Sequence, residues 1–179
     1  MKKLIFIIVV LAIAIFSFTT LKMNVNDSEF LSDYLIDIEN YMDLREEINT
    51  DVSKVDVAWH LDHSLKTINQ IYLSMSASDP DKFDSSFSFL RTISLSFNFI
   101  PRGFAQSPAS VLPPEIILEA DLIRQLQSAR DNAEKIMLLD RNSHFDHPYF
   151  GQLKRSHTMR FLQVHTHHHL KIINDILKK

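Results

Sequence analysis

The sequence contains no cysteine. Disulfides, cysteine-ligated zinc, iron–sulfur clusters and thiol nucleophiles are therefore excluded, as is a lipoprotein anchor, which needs a modified cysteine. Glycine is almost missing, with only Gly103 and Gly151 in 179 residues. A chain this poor in glycine has few left-handed turns to offer β-hairpins, which favours helices. No glycine-rich phosphate loop, Gly-x-Ser-x-Gly elbow or dinucleotide fingerprint is present. A basic stripe with interleaved aromatics is also absent. The formal net charge is −3, and Lys2, Lys3 and Lys22 all lie in the first segment, so the remainder is more acidic still. Nucleic acid is not an expected partner.

What is present begins with a leader. Lys2 and Lys3 precede an uncharged run from Leu4 to Leu21, which is at the lower limit for a helix to cross a bilayer. The leading lysines favour a cytoplasmic start with the rest exported. Residues 1–22 thus read as a signal anchor, making the membrane a partner, or as a cleaved signal peptide that leaves a secreted or periplasmic protein. No convincing small-x-small cleavage site stands among Phe16, Ser17, Phe18, Thr19 and Thr20. In either case the leader is set apart from the folded domain, residues 27–179.

Beyond it, apolar residues recur at helical spacing. Asp27 or Ser28 caps a first helix carrying Leu31, Leu35, Ile38 and Met42 and ending near Ile48. A second helix, about 53–77, buries Val57, Leu61, Ser64, Ile68, Tyr72 and Met75. Asp79-Pro80 opens a phenylalanine-rich helix through Phe83, Phe87, Leu90, Ile93 and Phe97. Prolines at 101, 108, 113 and 114 then impose a loop. Glu115 starts the next helix, Arg141 to Gly151 reads as a loop, and the last helix covers about 154–177. The fold class is all-α: an antiparallel four-helix bundle with an extra helical segment and an N-terminal hydrophobic helix.

The most informative stretch is Val164-His165-Thr166-His167-His168-His169-Leu170, set inside an apolar helical pattern. At about 100° per residue, Phe161, His165, Ile172 and Ile176 share one stripe. His169 lies about 40° to one side, His168 about 60° to the other, and His167 points away. Polar rings on a core-facing stripe need a partner. A metal is one answer, because histidines four apart on a helix can present nitrogens to one ion. A core histidine bonded across the bundle, or a surface cluster, is the other. Thr166 stands where a zincin protease would have glutamate, so that signature fails. On the second helix His60 lies at the rim of the apolar face, and His63 about 60° further towards solvent. Position favours His60 as the inward-pointing ring, with a bond to a carbonyl as its simplest role. His144, His147 and His157 sit in or near a loop, where histidine needs no special explanation.

Val57-Ala58-Trp59-His60-Leu61, His147-Pro148-Tyr149-Phe150-Gly151 and His165-Thr166-His167-His168-His169-Leu170 together resemble the DinB-like (YfiT-type) superfamily. The His-Pro-x-Phe-Gly and His-His-Leu combination looks like one of its branches of unknown function. The turn Ile100-Pro101-Arg102-Gly103 and the later Ser107-Pro108 fit that branch. The resemblance covers roughly residues 30–178. It implies a four-helix bundle holding a divalent metal ion on three histidines, one from the second helix and two from a His-x-x-x-His in the last. Carried over by position, the ligands are His60, His165 and His169, with His168 an alternative to His169. Zinc or nickel is the metal expected on neutral imidazoles. Members often pair helices into dimers, which extends to a homodimer here.

Characterised relatives in that superfamily include thiol-dependent transferases and metal-dependent hydrolases. The exported leader weakens the transferase analogy, since low-molecular-weight thiol chemistry belongs largely to the cytoplasm. Two functional readings follow. One is a metal-dependent hydrolase or transferase outside the cytoplasm, acting on an unknown small-molecule substrate through a metal-bound water. The other is a non-catalytic binding or interaction module with a structural metal or none. No catalytic residue is identified, because no general base stands out.

Overall fold

A computed structural model describes residues 2–103 and 106–178, without the side chains of residues 2, 4, 12, 13, 15, 16, 20 and 21. The helices are α1 (Lys2–Met23), α2 (Ser32–Asn40), α3 (Val57–Ser76), α4 (Phe89–Phe97), α5 (Glu119–Leu138) and α6 (Arg155–Leu177). One antiparallel hairpin, β1 (His144–His147) and β2 (Gly151–Lys154), joins α5 to α6. The described chain is mostly helical, as expected.

The long helices start and stop for local reasons. Asp56 caps α3, its carboxylate accepting the Trp59 N–H at 2.8 Å. The first N–H groups of α3 are taken up by the preceding loop, Val57 by the Glu47 carbonyl and Ala58 by that of Arg45. This satisfies donors that a helix start otherwise leaves unpaired, and it sets the start at Val57 rather than 53. The same loop shortens α2, which ends at Asn40 and gives way to a 3-10 turn at Met42–Leu44. On α3, Val57, Leu61, Leu65, Ile68 and Met75 are buried, a stripe repeating every three to four residues. α3 packs on α5 and α6, and α2 packs on both of those helices. Between them Ile38, Leu122, Ile136, Met159 and Leu162 are wholly enclosed.

Two expectations change around the phenylalanine-rich segment and the hairpin. Asp79-Pro80 opens only a 3-10 turn, Pro80–Lys82, and α4 begins later, where the Ser88 hydroxyl accepts the Arg91 N–H. Residues 83–88 between them are irregular, and part of their polar groups pair outside the segment. Asp84 N–H donates to Gln152 Oε1 at 2.7 Å, and the Arg91 guanidinium takes the Ser86 carbonyl. Arg91 also donates to the carbonyls of Phe150 (2.9 Å) and Gln152 (3.0 Å). Residues 141–151, expected as a loop, contain most of the hairpin. One of the two glycines makes it feasible, as Gly151 adopts φ 69° at the turn, a conformation costly for other residues. Scarcity of glycine was a guide to overall class and not to this single turn.

The N-terminal segment requires a correction. Among the described residues no helix is long and apolar enough to cross a membrane. This overturns the N-terminal transmembrane anchor and the membrane-anchored localisation built on it. α1 packs against α4 and α6. Phe18 meets Phe97 at 6.2 Å between ring centroids, and Met23 is buried in the core. Of this end of α1, Met23 is buried while Phe18 stays partly exposed beside Phe97.

Arg91 is buried and ties three carbonyls of two segments together. Replacing it by leucine is expected to lower the unfolding free energy by about 2–4 kcal/mol, since carbonyls are left unpaired. Urea titration of the purified variant measures this, and a cost below about 0.5 kcal/mol would show that the hairpin is held otherwise.

Candidate metal centre

α3 and α6 lie side by side, and their facing surfaces bring four imidazoles together. One nitrogen each from His63, His165 and His169 falls within 4.8 Å of the others. Ring centroids are 5.1 Å apart for His63 and His165, 4.8 Å for His63 and His169, and 4.6 Å for His165 and His169. His63 and His169 are buried, and His165 is half-buried.

The hydrogen bonds decide which nitrogens remain available. His63 Nδ1 donates to the Val111 carbonyl at 2.9 Å, which leaves the Nε2 lone pair of a neutral ring free. Such a bond is the usual way a ligating histidine is oriented. His169 Nδ1 faces His60 Nδ1 at 3.0 Å, and His60 Nε2 faces the Ser53 hydroxyl at 3.1 Å. When His169 donates to His60 and His60 donates to Ser53, every proton is placed and His169 Nε2 keeps its lone pair. His165 Nδ1 is buried without a protein partner, an orphan of the kind an ion satisfies. The residues present therefore fit a divalent ion held by neutral imidazoles.

The electrostatics agree. Burial, reinforced by neighbouring histidines, holds His165 and His169 well below the ordinary imidazole value. His60 and His168 are lowered to about 4, again chiefly by burial. His63 is lowered by burial, although its bond to Val111 and the nearby Asp62 act in the opposite direction. At neutral pH the cluster is thus uncharged and its lone pairs are available. No carboxylate belongs to this donor group among the described residues. Asp62, next to His63, is buried and engaged by Lys66 at 2.6 Å and Gln125 at 2.7 Å.

His165 and His169 stand where the stripe geometry put them. The ring of His60 is buried as expected, but it touches His169 and Ser53 and does not join the three donors. His63 was expected towards solvent and is only 3% exposed. Two contacts outside helical periodicity explain this. The 3-10 turn Ala109–Val111 lies over α3 and takes the His63 proton, while Trp59 stacks on its ring at 4.9 Å. Neither contact has a signal in the α3 sequence. His168 pairs with the backbone of Ile100. His167 is half-buried with its edge towards Tyr34.

A cavity of about 700 Å³ opens on the cluster. Its wall includes Trp59, Ile100, Arg102, His147, Phe150 and Phe161 beside the histidines. An apolar pocket with a few convergent polar groups is the usual form of a small-molecule site. Arg102, exposed in its wall, pairs with Asp175 at 2.6 Å.

Searches against protein-family models, curated proteins and solved structures find no match to this chain.

His147 and His157 lie off the donor group, and burial lowers each to about 4. As pH falls below 6.5 the unfolded chain takes up protons that the folded rings refuse. Stability therefore declines between pH 6.5 and 4, by up to about 1.4 kcal/mol per pH unit for each ring. Urea midpoints of metal-free protein should fall across that window, and His157→Gln should flatten the slope. An unchanged slope in that variant would remove His157 from the account.

Proposed function

We propose that this protein binds a divalent metal ion, zinc or nickel, on His63, His165 and His169, and acts on a small molecule held in the adjoining cavity. The observation that carries the reading is the convergence of three uncharged imidazole nitrogens within 4.8 Å at the cavity wall. Three protein ligands leave a coordination position open. A bound ion would supply Lewis acidity there and lower the pKa of a water. The chain's own contribution is to orient His63 through Val111, orient His169 through His60 and Ser53, and keep the rings dry and neutral.

In this reading the chain is a DinB-like protein, with α2, α3, α5 and α6 as its four-helix bundle. Support comes from the packing of α3 on α5 and α6, and from the His-x-x-x-His on the last helix. The ligand from the second helix becomes His63, with His60 behind His169. Metal-dependent hydrolysis or group transfer fits an open site beside an apolar pocket. One observation favours a binding role without catalysis: the donor group includes no carboxylate to serve as general base.

Titrating zinc into metal-free full-length protein tests the assignment. Wild type should bind one equivalent, and His63→Ala or His165→Ala should abolish stoichiometric binding. His60→Phe should weaken it by about 10–100-fold, the effect of losing a partner behind a ligand. Binding lost in His60→Phe and kept in His63→Ala would exchange the two roles. Binding unchanged in His165→Ala would end the metal reading.

A further inference from the structure

The hairpin that leads into α6 places a histidine at the cavity with its protonation pattern already chosen. His147 Nδ1 accepts two backbone N–H groups, from Tyr149 at 3.1 Å and Phe150 at 3.2 Å. Pro148 has no N–H, so these are the first two donors after the histidine. A nitrogen that accepts hydrogen bonds carries no proton, and a neutral imidazole then has its hydrogen on Nε2. No hydrogen-bond partner for that Nε2–H is found among the described residues, and the residue forms part of the cavity wall.

The ring has little freedom to turn. It stacks on Phe150 at 4.4 Å and 15°, and meets Phe161 edge to face at 4.8 Å. Phe161 in turn packs against His165 at 5.5 Å. His147 thus stands across Phe161 from the donor group, on a strand whose turn Arg91 clamps through the Phe150 and Gln152 carbonyls. A donor held by packing and by its own turn is ready before a ligand arrives, which is what makes such a group effective in a dry pocket.

We propose that His147 offers a hydrogen-bond donor to this cavity, its Nε2–H, for an acceptor oxygen of the ligand, a small molecule carrying a carbonyl or carboxylate group. Burial keeps the ring neutral to well below physiological pH, so the donor is an imidazole and not an imidazolium. The histidine also closes its own turn. The residue thus links hairpin geometry to ligand recognition.

The test rests on the metal reading in one arm only. In wild type at neutral pH, nitrogen-15 spectra of His147 should show a neutral ring protonated on Nε2; a cationic or Nδ1-protonated ring overturns the inference, with or without metal. In the second arm, zinc-loaded protein is titrated with acetohydroxamate, whose oxygens bind the ion. His147→Asn keeps a side-chain acceptor for the turn, as asparagine commonly does, while its shorter side chain draws its own N–H donors back from the place of the imidazole Nε2–H. It should retain zinc and melting temperature yet bind acetohydroxamate about tenfold more weakly. Zinc content of the same samples separates the two failures. Wild type without zinc overturns the metal reading, whereas zinc-loaded wild type and His147→Asn binding acetohydroxamate equally overturns this inference alone.

Discussion

The structure depends on one constraint: four imidazoles, three buried and one half-buried, meet where α3 faces α6, and they must stay uncharged there. A single protonated ring among its neighbours would be poorly solvated and repelled by any second charge. Burial resolves this by holding the rings neutral at ordinary pH. Neutral rings still need partners for their protons. Val111 takes that of His63, and Ser53 with His60 forms a path for that of His169. His165 Nδ1 is left over, and that remainder turns a satisfied polar core into a candidate metal centre.

The surrounding elements can be understood from what they do for that crossing. The loop before α3 completes the helix start and brings Ser53 against His60. The proline-rich segment after α4 is not a passive connection, because its 3-10 turn lays Val111 over His63. The hairpin seals another side with Phe150 against Phe161, and Arg91 ties it to the start of α4. Irregular backbone can sit against a buried site only when its carbonyls find donors. Here the site's own side chains and Arg91 provide them.

Much of the fold could be read along the chain because amphipathic periodicity is a local property. The stripes through Val57, Leu61 and Ile68 and through Phe161, His165 and Ile172 identify α3 and α6 with nearly the observed ends. Helix starts were displaced wherever a distant segment supplied the capping partner, as Glu47 and Arg45 do for α3. Residues 83–88 depart from the helical pattern because their order comes from Gln152 and Arg91. An apolar leader resembles a membrane segment along the chain, since composition cannot show that α1 packs on α4 and α6.

The sequence by itself determined the chemistry on offer: no thiol, an all but glycine-free helical chain, and a His-x-x-x-His that faces inward because helical pitch sets residues four apart on one side. Tertiary structure alone decided which histidine of α3 joins them. Helical phase separates His60 from His63 by less than the width of a buried face, so periodicity could rank them only by distance from the α3 stripe. The loop that covers His63 comes from almost fifty residues further along. A hydrogen bond between such distant positions leaves no trace in the local pattern. It holds the ring expected in solvent beside His165 and His169, while His60 stands behind His169.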